Sequence, residues 1–248
     1  MAIFKFLLCA GCLISIHAFA EPKMDKKESI NGVSVQTGKH DSIRIYQGSI
    51  SKSFPYGIDT LKASVVNFKE RCNNSLKDRR QYTDKSTPCK YHNDNLVETI
   101  VYKNIKKTGW TKGANETERY VLGRQVYNRG SFGYYELVRV FETKDSNNKK
   151  VVKIEQKMLS DKQVKEYIKP DFKKESAFSK TSGTFTLTEV SPKETTLTYE
   201  YKAETDHWVL NKEVSVSQVF SSMSKSINDL VKTLTMESSL KNRDIASN

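Results

Sequence analysis

Histidine, cysteine and long apolar runs are all scarce in this chain of 248 residues, and each scarcity narrows the functions open to it. Beyond the first 20 residues the histidines are His40, His92 and His207, which form no H-x-x-x-H or comparable cluster, so a zinc-type centre lacks its ligands. No G-x-S-x-G occurs, which removes the nucleophile elbow of a serine hydrolase. After residue 20 no window approaches the roughly 18 apolar residues that a membrane-spanning helix requires. No internal repeat is visible. No Pro/Gly/Ser-rich break is long enough to divide Ser42 to Leu240, a length of about 200 residues that suits one domain with a sizeable core.

What is present begins with a leader. Lys5 supplies a positive start, Phe6 to Ile16 an apolar core, and Ala18-Phe19-Ala20 an A-x-A cleavage signal, the pattern of a secretory signal peptide cleaved after Ala20. The expected location is secreted or periplasmic. Cys9 and Cys12 fall inside this leader. A lipoprotein site at Cys12 is disfavoured, because Cys9 rather than an aliphatic residue stands three positions before it. Cys72 and Cys89 remain, and an even pair in an oxidising compartment favours one disulfide.

Charge is lopsided, with 41 Lys and Arg against 29 Asp and Glu and a net charge of +12. Summed positive charge steers polyanions without choosing among them, so anionic lipid, cell-wall polymers and nucleic acid are all candidate partners beside plain solubility. The secretory route argues against nucleic acid. Lys103, Lys106, Lys107, Trp110 and Lys112, with Lys173-Lys174, mix charge and aromatics as membrane-docking loops do, and read equally as a solvated face.

Along the chain, Glu21 to Asp41 is polar, Lys-rich and without a sustained period, and reads as a linker. Ser42 to Lys52 alternates as a first strand and ends at the turn cluster Phe54-Pro55-Tyr56-Gly57. Asp59 can cap a helix that carries Ile58, Leu61, Val65, Phe68 and Cys72 at helical spacing. Asn73 to Cys89 is expected to be a second short helix or a loop. Strand candidates follow at Asn95 to Lys103, Glu118 to Asn128, Phe132 to Thr143, Lys150 to Leu159, Gly183 to Val190 and Thr195 to Glu204. Ser160-Asp161 marks a short helix over Lys162 to Ile168. Last comes a long amphipathic helix, whose stripe is Val216, Val219, Phe220, Met223, Ile227, Leu230, Val231 and Leu234. Residues 241 to 248 read as a disordered tail. The order implies an α+β fold whose antiparallel sheet has one covered face.

Three stretches resemble the START-like superfamily, also called SRPBCC or helix-grip, which includes lipid-transfer domains and polyketide cyclase-like proteins. Asp59 to Phe68 looks like the helix after the first strand. Ser182 to Thr188 with Thr196 to Tyr201 looks like the last hairpin, and Trp208-Val209-Leu210-Asn211 is similar to the turn into the closing helix. The chain departs from the pattern in lacking a Pro before Trp208, in the Cys72 to Cys89 insertion and in the helical piece before Pro170. The resemblance implies a helix-grip fold, a curved antiparallel sheet wrapped around a long C-terminal helix, with two short helices after the first strand. It also implies a cavity between sheet and helix for a lipid or other hydrophobic small molecule, with no cofactor or metal.

Strand alternation places Leu197, Tyr199, Tyr201 and Ala203 on one face, and Phe185 with Leu187 likewise, opposite Phe220, Met223 and Ile227. The expected ligand-binding set is Tyr134, Phe185, Tyr199, Tyr201, Trp208, Phe220, Met223 and Ile227, joined by Arg124 and Glu136. These apolar side chains read equally as a filled core. Arg124 and Glu136 fall in register with apolar neighbours. Either both registers are reversed, or the two charges pair inside the cavity and give a greasy ligand one polar anchor. No residue is assigned to catalysis; Asp206-His207 suggests an acid/base pair, but adjacent residues rarely point toward one another, and His207 reads as a surface or capping residue. A cyclase- or hydratase-like enzyme using the same cavity, and an interaction module with a filled core, are the competing expectations.

Overall fold

Alternating strand sequences dominate the chain, and in the computed structural model they build a nine-stranded antiparallel sheet. The structure describes residues 24–67, 95–101, 113–127, 131–168, 170–173 and 176–246. The strands are β1 (Met24–Ile30), β2 (Val33–His40), β3 (Ile43–Phe54), β4 (Asn95–Val101), β5 (Glu116–Tyr127), β6 (Ser131–Lys144), β7 (Lys150–Met158), β8 (Lys180–Ser191) and β9 (Glu194–Thr205). The helices are α1 (Ile58–Val65), α2 (Asp161–Tyr167) and α3 (Val216–Ala246), the last entered through a 3-10 turn at Glu213–Ser215. Strand order is β1-β2-β3-β9-β8-β7-β6-β5-β4, so the last hairpin, β8–β9, lies between the first three strands and the rest. The antiparallel ladder puts residues in register on one face, and that inner face carries the main core: Val35, Tyr46, Phe54, Leu122, Val138, Val140, Val152, Ile154, Phe185, Leu187, Leu197 and Tyr199.

The α3 stripe closes this face as its periodicity predicts. Val216, Phe220, Met223, Ile227, Val231 and Leu234 are buried, each apolar side chain contributing about 1.5–3 kcal/mol on burial. Contact is close at Gly48 of β3, where a side chain would collide with both Met223 and Ile227. The far half of α3 leans on α1, with Ser238 and Ser64 hydroxyls 3.0 Å apart. Tyr46 meets Phe220 edge-on at 6.3 Å.

The outer face carries a second, smaller core beneath α2. A capping box starts that helix: Ser160 Oγ accepts from the Gln163 N–H, and the Ser160 N–H donates to Gln163 Oε1. Its Val164 packs with Val121, Leu159 and Phe172, against Tyr135 and Leu137 of β6. The apolar character of β6 on both faces is therefore accounted for: one face serves each core.

Several expectations need correction. The 21–41 segment is not a linker within the described residues, since it forms β1 and β2, hydrogen-bonded as a hairpin and continued into β3. The turn is Asn31-Gly32, both at positive φ (50° and 80°), the conformation a tight two-residue hairpin needs. The first helix follows the third strand and ends at Val65; Gly57 occupies its N-cap, while Asp59 instead meets Lys150 Nζ at 2.6 Å. The expected tail is helical as far as Ala246. The second short helix, Cys72 and Cys89, and the leader all lie outside the described residues.

Candidate functional site

Polar side chains on an otherwise apolar face are where a sheet of this kind reveals chemistry, because each is costly to bury without a use or a partner. At one end of the inner face the charged groups are paired, Lys62 of α1 bridging Glu118 and Glu142. There α1 lies over β7, β8 and β9, its start held by Thr195 Oγ1 donating to the Tyr56 carbonyl and by Lys150 on Asp59. At the opposite end the inward positions turn polar. Glu136 of β6 is 4% exposed, Gln156 of β7 6% and Thr181 of β8 4%. Register ties them together: Glu136 stands opposite Met158, Gln156 opposite Gly183, Gly183 opposite Tyr201, and Thr181 opposite Ala203.

Gly183 has a specific part in this. A Cβ there would lie 3.0 Å from Tyr199 Oη and 3.3 Å from Gln156 Oε1, so the absence of a side chain lets the phenol and the amide converge over β8. The Tyr199 ring stacks on Phe185 at 4.3 Å, which holds its hydroxyl toward the polar end. Thr181 Oγ1 is fully buried and finds no hydrogen-bond partner among the described residues.

Of the residues expected from sequence, Phe185, Tyr199, Phe220, Met223 and Ile227 share the main core, and Tyr201 is packed half-buried against it. Tyr134 is half-buried two positions before Glu136. Glu136 faces inward beside Leu122 and Val138, so its register is not reversed, and it is not an isolated charge there. Arg124 pairs across the ladder with Tyr134, on the same face and diagonal to Glu136; its side chain lies outside the described residues. Trp208 does not belong to the set. It is 70% exposed, with the Lys212 ammonium 4.9 Å above its ring. His207 is a turn residue, its Nδ1 accepting from the Val209 N–H. Lys173 is exposed, and Lys103 to Lys112 lie outside the described residues.

Gln156, Thr181 and Gly183 were missed. The signal was available, since Gln156 continues the Val152, Ile154 alternation and Thr181 the Phe185, Leu187 alternation, making each a polar residue at a core position.

Two further features lie on the outer face, apart from this site. A groove of about 270 Å³ crosses the outer face of β2, β3, β9 and β8, lined by polar residues such as Gln36, Gln47, Thr184 and Glu200. Beside the outer core, Glu116 is clasped by Arg119 and Arg139, and its Oε2 also accepts from the Gly113 N–H at 2.9 Å. Burial alone would raise the Glu116 pKa; the hydrogen bonds from Arg119, Gly113 and Arg139 outweigh it and bring the value down to about 2. Among the described residues no group of three His, Cys, Asp or Glu could hold a metal ion, and no helix is long and apolar enough to cross a membrane.

The strand order, the closing helix and the inner-face core make a helix-grip fold, an antiparallel sheet closed by a long C-terminal helix. Several solved structures are similar to this chain in fold. Human STARD10 is 12% identical at a TM-score of 0.46, over 84% of this chain and 73% of its own. A STAR-related lipid transfer protein from Xanthomonas axonopodis is 10% identical at 0.46, over 86% and 98%. The Zhui aromatase/cyclase from Streptomyces sp. R1128 is 9% identical at 0.45, over 79% and 94%. No protein-family profile and no curated protein sequence matches the chain.

Proposed function

We propose that this is a secreted or periplasmic protein that binds a lipid or other hydrophobic small molecule on the inner face of its sheet. The observation that carries the reading is the buried Thr181 hydroxyl, unpartnered among the described residues, beside Gln156 and the Tyr199 hydroxyl on an apolar face. A buried polar group left without a partner costs about 1–3 kcal/mol, and a ligand with a hydroxyl, amide or carboxyl head would remove that cost. The apolar body of such a ligand would lie along Phe185, Tyr199 and Tyr201, where burial of its chain supplies the affinity. The protein acts as a carrier in this reading and assigns no side chain to bond making.

Binding of a fluorescent fatty-acyl probe to delipidated protein tests the reading. Saturable binding that weakens on Gln156→Leu and Thr181→Val supports it; no binding, or binding indifferent to both changes, contradicts it.

One observation favours a second reading, an interaction module with a filled core. Met223 and Ile227 come so close to Gly48 that not even a methyl group would fit between α3 and β3 at that point. In that case the polar end is closed as well, and the probe finds no site.

A further inference from the structure

The segment between β9 and α3 holds apolar side chains out in water while its backbone is pinned from behind. Only three large hydrophobic residues are strongly exposed among the described residues, and two of them, Trp208 at 70% and Val214 at 86%, lie within this one loop. Its backbone is not loose. The Tyr46 hydroxyl donates to the Leu210 carbonyl at 2.6 Å, and Arg44 Nε donates to the Asn211 carbonyl at 3.2 Å. Arg44 Nη2 reaches Glu213 Oε2 at 2.7 Å, Asn211 Nδ2 donates to the Ser42 carbonyl, and Ser215 Oγ donates to the Val209 carbonyl. Arg44 and Tyr46 are themselves fully buried on the inner face. A loop so fixed cannot fold its tryptophan back into the core, so the exposure is built in.

We propose that this loop is a docking point for an anionic lipid bilayer, with Trp208 and Val214 entering the headgroup region. Tryptophan suits that depth because its ring is amphipathic, and Lys212 over the ring places an ammonium where it meets lipid phosphate. Lys26 and Lys39 lie close enough to act on Glu213, whose own charge is taken up by Arg44. Opposing charges stand in this region too: Glu28 pairs with Lys26 at 3.1 Å, Asp41 lies 3.9 Å from His40, and Asp206 precedes the turn. The net charge of +12 adds long-range attraction to an anionic surface. The dock does not depend on whether the inner face holds a ligand, since every contact that fixes the loop comes from the protein itself.

Flotation of the purified protein from Glu21 onward, without the apolar leader, tests it, using vesicles of phosphatidylcholine alone and of phosphatidylcholine mixed with phosphatidylglycerol. The wild type should float with the anionic vesicles, and Trp208→Ala/Val214→Ser should weaken that binding by about tenfold or more. Circular dichroism should show the double variant folded, since both side chains are exposed. Val190→Ser, which changes the third exposed hydrophobic at the far hairpin, should bind as the wild type does. Three results would each overturn the proposal: no binding to either vesicle, which leaves the exposed pair to a protein partner; anionic binding that high salt abolishes and the double variant retains; or equal loss with Val190→Ser.

Discussion

A Cβ added to Gly48 would stand 2.7 Å from Ile227 Cδ1. That separation is far inside van der Waals contact, so the closing helix is seated on β3 at a position that carries no side chain. Met223 Sδ lies at the same distance from that point. Glycine here serves close approach, and its cost in strand propensity is offset by the contact it allows. Gly48→Ala should therefore destabilise the protein by about 1–3 kcal/mol through overpacking. Urea unfolding checks it: the midpoint should fall with an unchanged slope, and an unchanged midpoint would mean that the helix rides higher than described.

Tyr46→Phe removes the hydroxyl that holds the Leu210 carbonyl and leaves the ring against Phe220. The expected loss is about 1 kcal/mol, the net worth of one such hydrogen bond. Limited proteolysis should show faster cleavage in the 206–212 loop, with the core fragment unaffected.

Thr181→Val changes the buried hydroxyl for a methyl of the same shape. Because the hydroxyl has no partner among the described residues, the ligand-free protein should gain stability, by about 1 kcal/mol, while probe binding weakens. Thermal unfolding of delipidated protein, set beside the binding curve, separates the two effects; a destabilised variant would show that Thr181 serves the fold.

Glu116→Gln leaves Arg119 and Arg139 facing one another across the β5–β6 ladder with their shared carboxylate gone. Loss of one member of a buried ion network costs about 3–5 kcal/mol, and the variant should unfold at clearly lower denaturant. The pH dependence has a definite sign. The folded value near 2 lies below the ordinary 4.5, so this stabilisation is complete above pH 4.5 and is lost as pH falls through 2. Wild-type stability should decline across that window, and the Gln variant should lack this part of the decline.

Legibility followed the pattern of burial. Strands β3 and β5 to β9 and the α3 stripe were readable because each has at least one buried face, where apolar residues recur at period 2 or near 3.6. The β1–β2 hairpin was not read. Its residues are mostly charged or hydroxylated, with Val33, Val35 and Thr37 fully buried, and on the edge strand β1 little burial is imposed. Asn31-Gly32 between Ile30 and Val33 was the signal available. In the site, aromatic and charged residues drew attention while Gln156 and Thr181 passed as ordinary strand residues. Trp208 was misplaced because motif likeness cannot show which way a turn residue points.

The central claim is that the inner face holds a hydrophobic molecule anchored at the end marked by Glu136, Gln156 and Thr181. Native mass spectrometry of protein isolated from its own host tests it most directly. The account predicts a species heavier than the polypeptide, whose extra mass is extracted by organic solvent and is diminished in Thr181→Val. A single species at the polypeptide mass, with no uptake from a lipid extract, would contradict it.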